Sequence, residues 1–183
     1  MKLLARLLIG IFVFAHPSPA IANDADGHEQ LWNAVQNAGA PIFVNEPSRC
    51  DGENSGVYLW NPDTKQGVMV ICQDNGKEAG VQVAWTANDL DTLRHEAHHV
   101  LQDCLEGEIG DSKFGLFFTY PEKFNEFVTT ALTERQIKVI TLSYRKAGET
   151  DYTIFRELEA FAVARHVSPE IIAKAINKFC STN

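Results

Sequence analysis

The sequence predicts an α+β fold in which a small antiparallel sheet or hairpin precedes a mostly helical part. Two observations predict this fold. Short runs rich in β-branched and aromatic residues are confined to the chain before residue 86, whereas helical spacing of apolar residues dominates from there to the C-terminus. No internal repeat or low-complexity tract is present. We therefore expect a single domain over residues 23–183.

The first 22 residues are expected to be a signal peptide rather than part of the fold. Lys2 and Arg6 give a positive start, an apolar run follows at residues 7–15, and residues 20–22 have the small-x-small form of a cleavage site. The apolar run is short for a bilayer span, which disfavours the alternative of an uncleaved anchor. Cleavage would change the formal charge from −8 to −10, because it removes two basic residues and no acidic ones.

The predicted elements of the first half are one helix and four short strands. A helix is expected at residues 29–38, where apolar residues fall on one side. The β-rich runs 57–60 and 68–72 flank a turn-rich connector, which predicts a hairpin. Shorter strands are expected at residues 42–44 and, from the alternation of apolar with other residues, at residues 81–85.

Five helices are predicted after residue 85. Thr86 or Asn88 is expected to cap the first, which should run to about Cys104 and has acidic residues in its first turn, where negative charge is favourable. A glycine-containing loop follows. The remaining helices are expected at residues 121–132, 134–146, 153–166 and from Pro169 onward, with Ser168 as the cap of the last one.

Composition limits the partners of the protein. A formal charge of −8 argues against nucleic acid or an anionic membrane surface as the main partner. The 45% hydrophobic and 22% charged residues are ordinary for a soluble globular protein. We therefore expect a small-molecule or protein partner, no stable membrane span after signal cleavage, and a monomer, since nothing in the sequence indicates an oligomer.

The four cysteines are Cys50, Cys72, Cys104 and Cys180, and no two of them form a CxxC pair. This spacing disfavours a zinc ribbon or a thioredoxin-like site. In an exported protein, whether in the periplasm, the medium or another oxidising lumen, four cysteines suggest two disulfides with three possible connectivities. We favour Cys50–Cys72, which would join local β-structure, and Cys104–Cys180, which would join the central helix to the last one.

The stretch LRHEAHHV at residues 93–100 contains three of the six histidines. His95 and His99 are four residues apart, so a helix places them on one face, with about 5–6 Å between their Cβ atoms. Two imidazoles at this spacing can bind one Zn²⁺, and a neighbouring carboxylate, Glu96, suits a general base. This is the HExxH pattern of metal-assisted hydrolysis. His98 is expected to support the site or the structure rather than to bind metal.

A catalytic zinc commonly has three protein ligands and one open position. On a later predicted helix, Glu157 precedes Ala160 by three residues, which is an ExxA pattern. HExxH followed by ExxA resembles the gluzincin-type zinc metallopeptidases, in particular small bacterial ones, over roughly residues 85–165. The resemblance implies a zincin-like fold, a peptide or protein substrate, a Zn²⁺ ion bound by His95, His99 and Glu157, and Glu96 as the catalytic general base.

Two assignments within this site stay open. Glu159 is the rival to Glu157 as third ligand; the two lie about 200° apart around a helix, so they should not both face a metal ion. Tyr144, Tyr152 and His166 are candidates for a donor that stabilises the transition state, on sequence proximity alone.

The function that the sequence favours is an exported, disulfide-bonded zinc metallopeptidase. Two other classes of protein fit the same residues. One is a secreted zinc-binding protein that keeps the ligands but cleaves nothing. The other is a disulfide-stabilised interaction module in which the HExxH motif occurs by chance.

Overall fold

The computed structural model describes residues 24–50, 54–61, 64, 66–106, 109 and 113–180. The predicted signal peptide at residues 1–22 lies outside them. Within these residues the chain forms six α-helices, a three-stranded sheet and one short 3-10 helix, which confirms the α+β class. No helix in this part of the chain combines the length and the apolar character that crossing a membrane requires.

The helices predicted from residue 86 onward are all present, within a few residues of their expected bounds, whereas the first helix begins five residues earlier than predicted. In chain order the elements are α1 (Asp24–Asn37), β1 (Ile42–Val44), β2 (Gly56–Asn61), β3 (Gln66–Ile71), the 3-10 helix (Lys77–Ala79), α2 (Ala87–Glu106), α3 (Pro121–Ala131), α4 (Glu134–Lys146), α5 (Asp151–His166) and α6 (Pro169–Phe179).

The sheet has the strand order β1-β3-β2 and is mixed rather than antiparallel. β2 and β3 form the predicted hairpin, with Gly56 opposite Ile71. β1 pairs in parallel with the other side of β3, with Ile42 opposite Met69. The prediction of an antiparallel sheet was therefore wrong for β1. The chain reverses once between β1 and β2 and again in the hairpin, so β3 runs in the same direction as β1.

No strand forms at residues 81–85, where the alternation predicted one. The side chain of Gln73 takes the place of a neighbouring strand. It accepts a hydrogen bond from the N–H of Val83 and donates one to the Val83 carbonyl oxygen, both at 2.9 Å. The Asn45 amide donates to the carbonyl oxygen of Val81 at 2.6 Å. The backbone groups of Val81 and Val83 would have bonded to a neighbouring strand in a sheet. They are bonded instead to the buried amide side chains of Gln73 and Asn45.

Buried apolar residues form two main clusters that share α5. The larger cluster packs α1, α2 and α6 against the sheet and includes Leu31, Met69, Ile71, Val100 and Ile176. The other packs α3, α4 and α5 together and includes Phe124, Val128, Tyr144, Ile154 and Leu158. Because α5 contributes to both clusters, its position against α2 is fixed from two sides.

Both favoured disulfides are present. Cys50 and Cys72 join the segment after β1 to the end of β3, with 5.4 Å between their Cα atoms. Cys104 and Cys180 join α2 to the end of α6, with 5.2 Å between their Cα atoms. These separations are normal for disulfides, and the two pairs fit an oxidising environment.

Of the two cap candidates for α2, the structure selects Thr86. Its hydroxyl accepts a hydrogen bond from the N–H of Asp89 at 3.1 Å, and the Asp89 carboxylate accepts one from the N–H of Thr86 at 2.8 Å. The same carboxylate accepts a second bond, from the N–H of Asp74, at 2.9 Å. The start of α2 is therefore fixed to the segment that follows β3, which sets the position of the HExxH residues about two turns later.

Candidate metal centre

The structure brings the three predicted ligand residues together. His95 and His99 share one face of α2, with 3.1 Å between their Nε2 atoms. Glu157 reaches them from α5: its Oε2 lies 3.4 Å from Nε2 of His95, and its Oε1 lies 3.5 Å from Nε2 of His99. One possible ligand atom from each residue lies within 4.8 Å of the others, so the group could hold a metal ion.

The spacing of these atoms suits a single metal ion. With metal–ligand distances of about 2.1 Å, the ligand atoms of a tetrahedral site lie about 3.4 Å apart. The Nε2 atoms of the two histidines lie 3.1 Å apart, and each lies 3.4–3.5 Å from a different carboxylate oxygen of Glu157. With one ligand atom from each residue, the three atoms lie within 4.8 Å of one another. Two imidazole nitrogens and a carboxylate would leave one corner of the tetrahedron open, as in catalytic zinc sites. The same nitrogen and oxygen donors also suit other divalent first-row metals.

The charges within the group favour a cation. Burial alone would lower the pKa of His99, but the carboxylates of Glu157 and Glu96 raise it to about 9. Burial alone would raise the pKa of Glu157, but His99 and His95 hold it well below its usual range. In the metal-free protein a protonated imidazole therefore lies beside the carboxylates, and a metal ion that binds Nε2 must displace its proton.

The surroundings of the group are nearly closed. The side chains of His95, His99 and Glu157 are 6%, 11% and 14% exposed, so a small part of the group still reaches solvent. The ring of Phe161 packs 4.4 Å from the ring of His95. Nδ1 of His95 is buried and has no hydrogen-bond partner among the described residues, so the polar contacts of this imidazole are those of Nε2 with His99 and Glu157.

Glu96, the predicted general base, is 3% exposed and lies beside the group. Burial is the main cause that raises its pKa, and the Glu157 charge acts in the same direction. The charges of His95 and His99 and a hydrogen bond from the backbone of Tyr58 oppose this shift. The carboxylate of Glu96 thus lies between the imidazoles on its own helix and the backbone of β2.

Close packing of β2 against α2 creates this arrangement. A Cβ atom on Gly56 would lie 2.5 Å from Cγ2 of Thr92 and 3.1 Å from Cγ of Glu96, so only glycine allows the strand to approach so closely. Further along β2, the hydroxyl of Tyr58 donates to the buried carboxylate of Asp103 at 2.5 Å. Contacts at two levels of α2 therefore hold the strand alongside the HExxH residues.

Among the three candidate donors, the structure places Tyr144 at the group. Its hydroxyl donates to Oε2 of Glu157 at 2.5 Å. Burial and the charge of Glu157 raise the pKa of Tyr144 well above its usual value, so the hydroxyl keeps its proton. The hydroxyl of Tyr152 donates instead to the backbone oxygen of Phe114, and His166 packs beside an aromatic ring of α3.

Glu159, the rival third ligand, is fully buried and has other partners. Its carboxylate accepts hydrogen bonds from Nε2 of His98 at 2.9 Å, from Nε2 of Gln102 at 2.8 Å, and from the N–H groups of Phe117 at 3.1 Å and Phe118 at 2.9 Å. Burial alone would raise the pKa of Glu159, but these hydrogen bonds lower it. His98 binds Glu159 and lies outside the His-His-Glu group, in agreement with its expected supporting role.

Sequence reasoning missed Gln102. Its amide oxygen lies 2.8 Å from Nδ1 of His99, and its amide nitrogen donates to Glu159 and, at 3.1 Å, to the carbonyl oxygen of Arg156. Gln102 follows His99 by three residues, and that spacing on a helix would have indicated the contact. The backbone donors of the loop before α3 had no comparable sequence signal, because any residue provides an N–H.

Comparison of the chain with protein-family models, with curated proteins and with solved structures gives no match. The resemblance to gluzincin-type metallopeptidases therefore stays a prediction based on the HExxH and ExxA motifs. What the site can do follows from its own donor atoms, charges and surroundings.

Proposed function

We propose that this protein is an exported zinc-dependent metallopeptidase that hydrolyses peptide bonds. The observation that carries the proposal is the convergence of His95, His99 and Glu157, whose ligand atoms lie within 4.8 Å of one another, with the buried carboxylate of Glu96 beside them. A bound zinc ion would supply the acidification of water and the polarisation of a peptide carbonyl. The two disulfides and the predicted signal peptide support export.

Each side chain of the group has a separate role in this proposal. His95 and His99 hold the ion from α2, and Glu157 holds it from α5. Glu96 accepts the proton of the attacking water and releases it to the leaving amine. The upward shift of the Glu96 pKa supports this role, because a carboxyl group whose pKa lies closer to neutrality can both accept and release a proton.

The substrate peptide would lie along β2. This strand forms one edge of the described sheet, and the backbone of Tyr58 faces the Glu96 carboxylate. An extended peptide added to a sheet edge is bound through main-chain hydrogen bonds, which tolerates many side chains. A scissile bond beside Tyr58 would then lie next to the general base.

The test compares wild-type protein with Glu96→Gln, measuring bound zinc and the cleavage of a peptide library with and without chelator. We expect about one zinc per chain in both proteins, because Glu96 is not among the three ligands. Cleavage should be chelator-sensitive in the wild type and at least about 100-fold slower in the variant. Glu106→Gln, an exposed position at the end of the same helix, is the matched control and should cleave normally.

Two results would favour the other classes of protein. A wild-type protein that binds one zinc but shows no chelator-sensitive cleavage is a zinc-binding protein without this activity. A protein that binds no zinc and is equally stable in chelator is an interaction module, and the proposed function is then wrong.

A further inference from the structure

The orientation of the Gln102 side chain is determined by groups that can only accept hydrogen bonds. Its Nε2 lies 2.8 Å from the carboxylate of Glu159 and 3.1 Å from the carbonyl oxygen of Arg156. That carboxylate also receives the backbone N–H groups of Phe117 and Phe118, which can only donate. The amide nitrogen, which has two N–H groups, must therefore face these two acceptors, and the amide oxygen must face the other way.

The amide oxygen of Gln102 faces Nδ1 of His99 at 2.8 Å. An amide oxygen can only accept, so the hydrogen of this bond belongs to Nδ1. A neutral imidazole carries one hydrogen, which leaves the lone pair on Nε2. Nε2 is the atom of His99 that lies 3.1 Å from His95 and 3.5 Å from Glu157. The chain of hydrogen bonds from Glu159 through Gln102 to Nδ1 of His99 thus leaves a lone pair on Nε2, the ring nitrogen that faces the candidate metal centre.

We propose that Gln102, oriented by Glu159, is a positioning residue that keeps His99 in the tautomer whose Nε2 binds the metal ion. The proposal rests on the metal-binding part of the proposed function and not on peptide cleavage. His95 provides an internal comparison, because its Nδ1 has no hydrogen-bond partner among the described residues. Outer hydrogen bonds of this kind typically change metal affinity by about 10- to 100-fold.

The first measurement is zinc affinity by competition with a chelator. Gln102→Met keeps a side chain of similar length but removes the acceptor, and we expect zinc affinity to fall by about 10- to 100-fold. A Gln102→Met protein that binds zinc within about twofold of the wild type would overturn the proposal.

A control separates positioning from general disruption of the cluster. His98→Gln removes the other imidazole bonded to Glu159 but leaves the Gln102–His99 contact in place. We expect this variant to lose stability towards urea in its metal-free form, while its zinc affinity changes by less than about threefold, since the His99 contact is intact. Equal losses of zinc affinity in His98→Gln and Gln102→Met would mean that the cluster acts only through stability.

The second measurement is the tautomer itself, read from imidazole ¹⁵N signals of the metal-free protein above the His99 pKa of about 9. We expect His99 to carry its hydrogen on Nδ1 in the wild type and a mixture of tautomers in Gln102→Met, with His95 unchanged. Hydrogen on Nε2 of wild-type His99 would overturn the proposal. Because this measurement needs no metal, it distinguishes a wrong tautomer assignment from a wrong metal assignment. A wild type that binds no zinc but shows the Nδ1–H tautomer keeps the tautomer assignment and overturns the metal binding on which both proposals rest.

Discussion

Two clusters of histidine and glutamate lie between α2 and α5, and they differ in how fully their polar atoms are paired. In the inner cluster, His98 and Glu159 are 2% and 0% exposed, and the carboxylate accepts four hydrogen bonds. In the outer cluster, the Nε2 atoms of His95 and His99 face each other and Glu157, with 6–14% of each side chain exposed. A carboxylate whose oxygens are fully paired stabilises the fold. Two imidazole nitrogens and a carboxylate that face one another instead favour a cation between them, which is a proton in the metal-free protein.

The inner cluster should give the largest effect on stability. Glu159→Ala leaves two buried side-chain donors and two part-buried backbone donors without their acceptor, so we expect a loss of about 3–5 kcal/mol in the free energy of unfolding of the metal-free protein. Urea unfolding measures this loss. The folded pKa of Glu159 is lowered, so its contribution is complete above its ordinary pKa of 4.5 and is lost as the pH falls below that value. The difference in the free energy of unfolding between wild type and variant should therefore become smaller as the pH falls below 4.5. If this difference stays constant, the charge of Glu159 is not what stabilises the fold.

The outer cluster should give the largest effect on metal binding. Four-ligand zinc sites bind with about 10–16 kcal/mol, or about 2.5–4 kcal/mol per ligand, so Glu157→Ala should lower zinc affinity on the order of a hundredfold or more. Chelator competition measures this change, with the exposed Glu134→Ala on α4 as control. If Glu159→Ala abolishes zinc binding while Glu157→Ala retains it, the roles of the two clusters are reversed.

The helical half of the fold could be predicted from the sequence because its determinants are local. Thr133 forms a capping box with Gln136 at the start of α4, and Pro121 and Pro169 occupy the first positions of their helices. The spacing of His95 and His99 is likewise a property of one helix. Each of these features needs only neighbours within four residues.

The parts that could not be predicted depend on distant partners. The 81–85 segment alternates like a strand, but Gln73 and Asn45 supply its hydrogen bonds from 10 and 36 residues away. Helical geometry indicated that Glu157 and Glu159 could not both face His95 and His99, yet it did not indicate which one does. That choice depends on the rotation of α5 against α2, which the packing of both apolar clusters sets.

The outer cluster should also respond to pH in a way that the inner one does not. A zinc ion that binds Nε2 of His99 displaces a proton held with a pKa of about 9, so apparent zinc affinity should rise about tenfold for each pH unit between 7 and 8. Burial lowers the pKa of His98, so the inner cluster has no such proton to release. Calorimetry in buffers of different ionisation enthalpy should detect about one proton released per zinc at pH 7. An apparent zinc affinity that is constant between pH 7 and 8 would mean that the displaced proton is not held by His99.

The smallest effect is expected from the two tyrosines of α4 and α5, which form a matched pair. Tyr144→Phe removes one hydrogen bond to Glu157 and should weaken zinc binding by about 1 kcal/mol, or about fivefold. Tyr152→Phe removes a hydrogen bond to the backbone of Phe114 and should leave zinc affinity unchanged. Tyr144→Phe could instead keep full zinc affinity and lose peptide cleavage. In that case the hydroxyl of Tyr144 acts on the substrate, and Tyr144 is a catalytic residue in addition to Glu96 rather than a positioning residue.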